Sequence, residues 1–167
     1  MPAEDDASSL PHGRFEGPQA FRELVLSALE AAAREGWREI VLSDPDYVDW
    51  PLGDRATADA LQQWSAAGRS MVMLAERFDV FERYHARFVT WRRMWGHIVD
   101  CRVCRGSGMP QVPSGIWTPA WFARRMDVEN YKGMSGNDGV SRRALREAID
   151  ECLRHSRAGF PTSTLGL

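Results

Sequence analysis

Residues 36–46 read Gly-Trp-Arg-Glu-Ile-Val-Leu-Ser-Asp-Pro-Asp, and this stretch decides the fold class. Ile40-Val41-Leu42 is a continuous apolar run, too short for a helix and bounded by polar residues, so it predicts a buried strand. Ser43-Asp44-Pro45-Asp46 then predicts a polar loop leaving the strand's carboxyl end. Upstream, Pro18 suits a first helical turn. Phe21, Leu24, Val25, Ala28 and Ala32 follow at spacings of three and four, which predicts a helix that stops at Gly36. Downstream, Asp54 is a good N-cap for a helix carrying Ala58, Leu61 and Trp64, and Met71-Val72-Met73-Leu74 predicts a second buried strand.

The alternation continues. Phe81, Tyr84, Phe88, Trp91 and Trp95 form an aromatic stripe at helical spacing that ends at Gly96. In residues 97–103, Val99, Cys101 and Val103 alternate with polar neighbours, as in a half-buried strand. A fourth strand is read at 116–126, with Pro119 implying an edge or a bulge. Residues 127–140, with three glycines, read as a loop, and Ser141 as the cap of a last helix through Leu145, Ile149 and Cys152. The expectation is an α/β fold: a layered sheet of about four to five mostly parallel strands with helices on its faces. Residues 1–17 read as a flexible arm, 18–158 as one domain and 159–167 as a tail.

Composition narrows the function classes. The chain has 167 residues, 44% hydrophobic and 26% charged, with a net charge of −2. That balance opposes a dominant electrostatic attraction to nucleic acid or membrane, so nucleic acid reads as an unlikely partner. No apolar run reaches the roughly 18 residues of a membrane span. Residues 1–14 lack the pattern of a secretory signal, and three cysteines make no disulfide framework, so a cytoplasmic setting is expected. Lys132 is the only lysine, an arginine bias that reads as a GC-rich, bacterial coding sequence. Seven tryptophans leave core and interface readings both open.

The order helix, strand, helix, strand, helix, strand, strand, helix over about residues 18–155 resembles one half of a phospholipase D-like domain. That resemblance implies phosphodiester chemistry by a His-x-Lys motif followed four residues later by Asp. His85-Ala86-Arg87 keeps a histidine and a cation but has Arg92 where the acid belongs. Asn130-Tyr131-Lys132, with Asn137-Asp138 downstream, lacks the nucleophile. The resemblance therefore implies a degenerate, non-catalytic member of that shape.

Three constellations could still carry chemistry. Cys101-Arg-Val-Cys104-Arg-Gly-Ser-Gly looks like the zinc knuckle of the DnaJ-type chaperone family, and Cys152 and His155 could complete a Cys3His zinc site. Against this, each cysteine also fits a core position. Asp44, Asp46, Asp49 and Asp54 crowd the loop after the first strand, where α/β sheets place ligands. They could hold a magnesium ion or serve as acid and base on a phosphoester, although a turn and a helix cap explain them better. Trp91-Arg92-Arg93-Met94-Trp95 and Trp121-Phe122-Ala123-Arg124-Arg125 interleave arginine with aromatics, as nucleotide-binding grooves do and as ordinary amphipathic elements also do.

The reading is a non-catalytic binding or interaction protein, with no residue assigned to catalysis, cofactor or metal. Its alternatives are an enzyme on a phosphoester using Asp44, Asp46 and arginines, and a small zinc protein using Cys101, Cys104, Cys152 and His155. Residues 116–122, read as an edge strand with Trp117 and Trp121 on one face, are expected to be covered by a homodimer partner or by the tail after Gly159.

Overall fold

A computed structural model describes residues 10–160. Strand β1 (Gly13–Glu16) leads into helix α1 (Pro18–Glu35) and strand β2 (Glu39–Ser43). Helix α2 (Arg55–Trp64) precedes β3 (Ser70–Ala75). Helices α3 (Phe81–Tyr84) and α4 (Ala86–Trp95), and one 3-10 turn, precede β4 (Val99–Val103). Strands β5 (Ser114–Trp117), β6 (Phe122–Asp127) and β7 (Lys132–Gly136) then lead to helix α5 (Gly139–Arg154) and the short β8 (Arg157–Ala158).

The helices begin and end for local reasons. Pro18 opens α1, and Gly36, at φ 71°, closes it by donating its N–H to the Ala32 carbonyl at 2.9 Å. Asp54 stands at the N-cap of α2, but its carboxylate reaches Arg22 at 3.2 Å instead of the helix backbone. The cap of α5 is Asp138, which accepts from the Ser141 N–H at 3.0 Å; the sequence predicts Ser141 itself. The aromatic helix breaks at His85 (φ −126°, ψ 44°), so Phe81, Phe88 and Trp91 are buried while Tyr84 points to solvent.

The strands form one eight-stranded sheet in the order β1-β7-β6-β5-β2-β3-β4-β8. Only β2-β3-β4 are parallel, joined by the crossovers through α2 and α4. The other pairings are antiparallel, so the expected mostly parallel sheet is corrected to a mixed, mostly antiparallel one. The cause lies in two tight turns. Thr118 folds 116–126 into a hairpin: its Oγ1 accepts from the Trp121 N–H at 2.8 Å, and its N–H donates to the Trp121 carbonyl at 3.0 Å. The second turn, at 128–131, returns β6 into β7. There Gly133 lets the strands close, since a Cβ would lie 2.6 Å from the Phe15 ring.

Two cores pack on opposite faces of the sheet. One joins α1, α2 and α4 through residues such as Phe21, Leu29, Leu42, Leu61 and Phe88. The other, smaller, joins α5 to Val41, Leu74, Phe122 and Leu145. Because β5 lies between β2 and β6, it is not an edge, and the expected homodimer through 116–122 is corrected. Arg146 of α5 covers the Trp117 ring at 4.5 Å, and Trp121 donates from Nε1 to the Pro11 carbonyl at 2.9 Å. The covering comes from α5 and the Pro11 segment. Of the predicted arm, residues 13–16 are the edge strand β1, and of the predicted tail, Phe160 packs against Phe78 and Phe81; residues 1–9 and 161–167 lie outside the described part.

Candidate nucleic-acid interface

The aspartate loop is the first predicted site to test. Asp44 is 1% exposed at the end of β2, and its Oδ2 caps the loop by accepting from the Tyr47 N–H at 2.8 Å. Its Oδ1 accepts from Arg125 Nη2 at 2.8 Å, and Asp49 Oδ2 accepts from Arg125 Nη1 at 2.8 Å. Arg125 Nε donates to Ser114 at 2.9 Å, and its guanidinium lies 4.0 Å from the Phe21 ring centroid. Burial opposes this charge, but the two carboxylates outweigh it and hold the guanidinium protonated more firmly than usual. Asp44 and Asp49 are thus spent on a buried cation. Asp46 faces Arg77 at 3.8 Å, and Asp54 faces Arg22. The loop is an anchor between β2 and β6, not an open cluster of carboxylates.

The zinc constellation does not assemble. Cys101 belongs to the core under α1, α2 and α4, whereas Cys104 and Cys152 belong to the core under α5. His155 meets Glu151 at 3.2 Å on the surface of α5. Among the described residues, no group of three or more His, Cys, Asp or Glu side chains is placed to hold a metal. His85, the histidine of the degenerate motif, is 2% exposed, with Nε2 at 2.7 Å from the Tyr47 carbonyl.

The arginine-aromatic segments divide. Trp91 is buried and donates to Ser65 at 2.7 Å, and Arg92 is buried against the Phe160 ring. Trp121, Phe122 and Arg125 are buried too. Arg124 alone of its segment's arginines is partly exposed, and the sheet face it belongs to is the feature the sequence hides.

Alternation along the strands places Phe122 and Arg124 of β6 on the α5 side of the sheet. Helix α5 packs over β5, β3 and Phe122 at the start of β6, while on the same side Arg14, Lys132 and Met134 of β1 and β7 are exposed. Arg14 of β1 lies opposite Met134 of β7, which lies opposite Arg124 of β6. One row therefore carries two arginines, with their backbones about 10 Å apart at ordinary strand spacing, and Met134 between them 44% exposed. The neighbouring row carries Glu16, Lys132 and Asp127. A bulge between Arg125 and Asp127 turns Met126 outward. A shallow groove of about 560 Å3 runs across Arg14, Met126, Lys132 and Met134.

The electrostatics of this face are uneven. Neither Arg14 nor Arg124 forms an ion pair among the described residues. Asp127 accepts from Asn130 in the turn, which holds its carboxyl below the usual range and commits it to the turn. Arg142 and Arg143 follow on the first turns of α5, which starts three residues after β7. Cations and exposed methionines coincide on these outer strands.

No family model matches the chain, and no curated protein matches it. In fold, the chain is similar to TrmBL2, an archaeal chromatin protein. That structure is described as showing a novel mode of DNA binding; the match has a TM-score of 0.61 at 15% identity and covers 93% of this chain. The chain spans 57% of the length of that structure. The likeness replaces the expected phospholipase D-like resemblance, and the DNA binding described for that neighbour conflicts with the expectation that nucleic acid is an unlikely partner. No helix among the described residues is long and apolar enough to cross a membrane.

Proposed function

We propose that this chain is a non-catalytic binding module that contacts the phosphate backbone of DNA through the open face of β1, β7 and β6. The observation that carries the reading is the Arg14-Met134-Arg124 row, two guanidinium groups that form no ion pair among the described residues, on the outer strands of the sheet. Guanidinium forks match phosphate oxygens, and the flat methionine surface suits sugar or base edges. The fold shared with a DNA-binding chromatin protein supports it. That the loop carboxylates are spent on Arg125 supports a non-catalytic role. A cytoplasmic setting, in which the three free thiols stay reduced, belongs to the same reading.

The charge count sets the strength. Three cations on the face correspond to about three phosphate contacts, a slope of log K against log salt of about −2.7, and a roughly 40-fold loss between about 50 and about 200 mM salt. This is weak, sequence-independent binding, in keeping with a net charge of −2. Fluorescence anisotropy with a labelled duplex tests it. Each of Arg14→Ala, Arg124→Ala and Lys132→Ala is expected to reduce the salt slope by about one, and the triple variant to abolish binding. Wild-type affinity in a folded triple variant refutes the assignment, and loss of binding with Arg105→Ala and Arg157→Ala instead would move the interface to the other end of the sheet.

A further inference from the structure

The opposite edge of the sheet holds a second concavity, a cleft of about 440 Å3 beyond the carboxyl ends of β3 and β4. In α/β sheets this is the end at which ligands bind, because loops diverge there and leave room. Phe78 and Phe160 form an apolar wall, with ring centroids 5.2 Å apart. Asp79 and Glu82 come from the segment after β3 and the start of α3; Arg105 and Arg157 come from the segment after β4 and from β8. All four are exposed, and none of them forms an ion pair among the described residues. Two acids and two cations thus line one cleft without closing on each other. The remaining pair in the cleft, Glu76 and Arg77, is already joined at 3.4 Å.

A second feature marks the cationic end. Arg92 lies behind the Phe160 ring, 4.5 Å from its centroid, and is only 5% exposed. Its Nε has no hydrogen-bond partner, and no acid among the described residues pairs with it. A buried cation with no paired acid among the described residues favours an anion nearby. Phe160 closes over it at φ 61°, in the left-handed region that bulky residues avoid. Such strained residues cluster at ligand clamps.

We infer that this cleft binds a small zwitterion of amino-acid or dipeptide size with an apolar side chain. The ligand carboxylate meets Arg105 and Arg157, its ammonium meets Asp79 and Glu82, and its side chain lies on Phe78 and Phe160. The volume falls within the range of small-molecule pockets and is too small for a folded partner. A purely anionic ligand would leave the two unpaired acids facing it; a purely cationic one would face the two unpaired guanidinium groups. Only a ligand carrying both charges satisfies both walls.

Calorimetric titration of the full chain tests this, with L-phenylalanine, L-leucine and L-leucyl-L-leucine as probes. N-acetyl-L-phenylalanine lacks the cation, and L-phenylalaninamide lacks the anion. The zwitterions are expected to bind saturably at millimolar concentration or below, and each analogue about tenfold more weakly. Asp79→Asn with Glu82→Gln should erase the difference between phenylalanine and its N-acetyl form. Arg105→Gln with Arg157→Gln should erase the difference between phenylalanine and its amide. Both pairs are at the surface, so circular dichroism is expected to show intact folds. Absence of saturable binding by all three zwitterions, or binding of both analogues as tight as that of L-phenylalanine, overturns the proposal.

Discussion

Arg125 Nη2 donates to Asp44 Oδ1 at 2.8 Å, joining positions 81 residues apart in the chain, and both side chains are almost wholly removed from water. The pair ties the end of β2 to β6 across the intervening β5. Breaking one side of a buried ion pair strands the other charge. Arg125→Met is therefore expected to cost about 3 to 5 kcal/mol, read from urea denaturation. An Arg125→Met, Asp44→Asn, Asp49→Asn triple variant should recover part of that loss, because no charge is left stranded. A single variant as stable as wild type would show that the anchor is dispensable.

Acid sensitivity should centre on His85. Burial holds its imidazole below the usual value; Nε2 lies against the Tyr47 carbonyl, and Nδ1 has no hydrogen-bond partner among the described residues. The unfolded chain thus takes up the proton at higher pH than the folded one. Stability from neutral His85 is complete above the unfolded value of about 6.5 and is lost as pH falls below it. The urea midpoint is expected to drop between about pH 7.5 and about pH 5.5. His85→Gln, which keeps a donor for Tyr47, should flatten that drop. An unchanged pH profile in the variant would place the sensitivity elsewhere.

Phe88 is wholly buried between Phe81 and Trp91, with centroids at 5.5 and 5.3 Å. Phe88→Ala should cost about 3 to 5 kcal/mol by thermal or chemical denaturation. Tyr84→Ala, on the exposed side of the same sequence stripe, should cost within about 0.5 kcal/mol. Equal losses at the two positions would contradict the break at His85.

The cysteines should be slow to react. Burial pushes the Cys101 thiol up to about 11 and that of Cys152 up to about 12, the latter raised further by Cys104 beside it. All three are buried. An aromatic disulfide reagent at mild alkaline pH should label none of them in the native protein and all three in denaturant. Rapid native labelling would mean that one of the two cores opens readily.

Sequence reading works here where structure is local. The elements α1, β2, α2, β3 and β4 follow from runs of apolar residues and from glycine and proline punctuation, and each forms where that pattern places it. The antiparallel half is hidden by long-range pairing. Strand β1 is only four residues, set between His12 and Gly17, too short to alternate visibly. Strand β7 contains two glycines, Gly133 and Gly136, that make it read as a loop. The aspartate loop is visible in the sequence, but its partner Arg125 reads as one more arginine of a basic segment. The Arg14-Met134-Arg124 row is invisible because its members come from an apparent arm, loop and strand, and only register brings them together.

The pairing of β1 with β7 also bears on how the chain is made. Gly13–Glu16 leave the ribosome more than a hundred residues before their partners, residues 132–135. At about 5 to 20 residues per second, the first strand waits several seconds for its neighbour. The parallel unit β2-β3-β4 can assemble in that interval, since its crossovers are local. The surface that carries Arg14 and Arg124 is therefore the last part of the sheet to exist, and a nascent or truncated chain lacks it altogether.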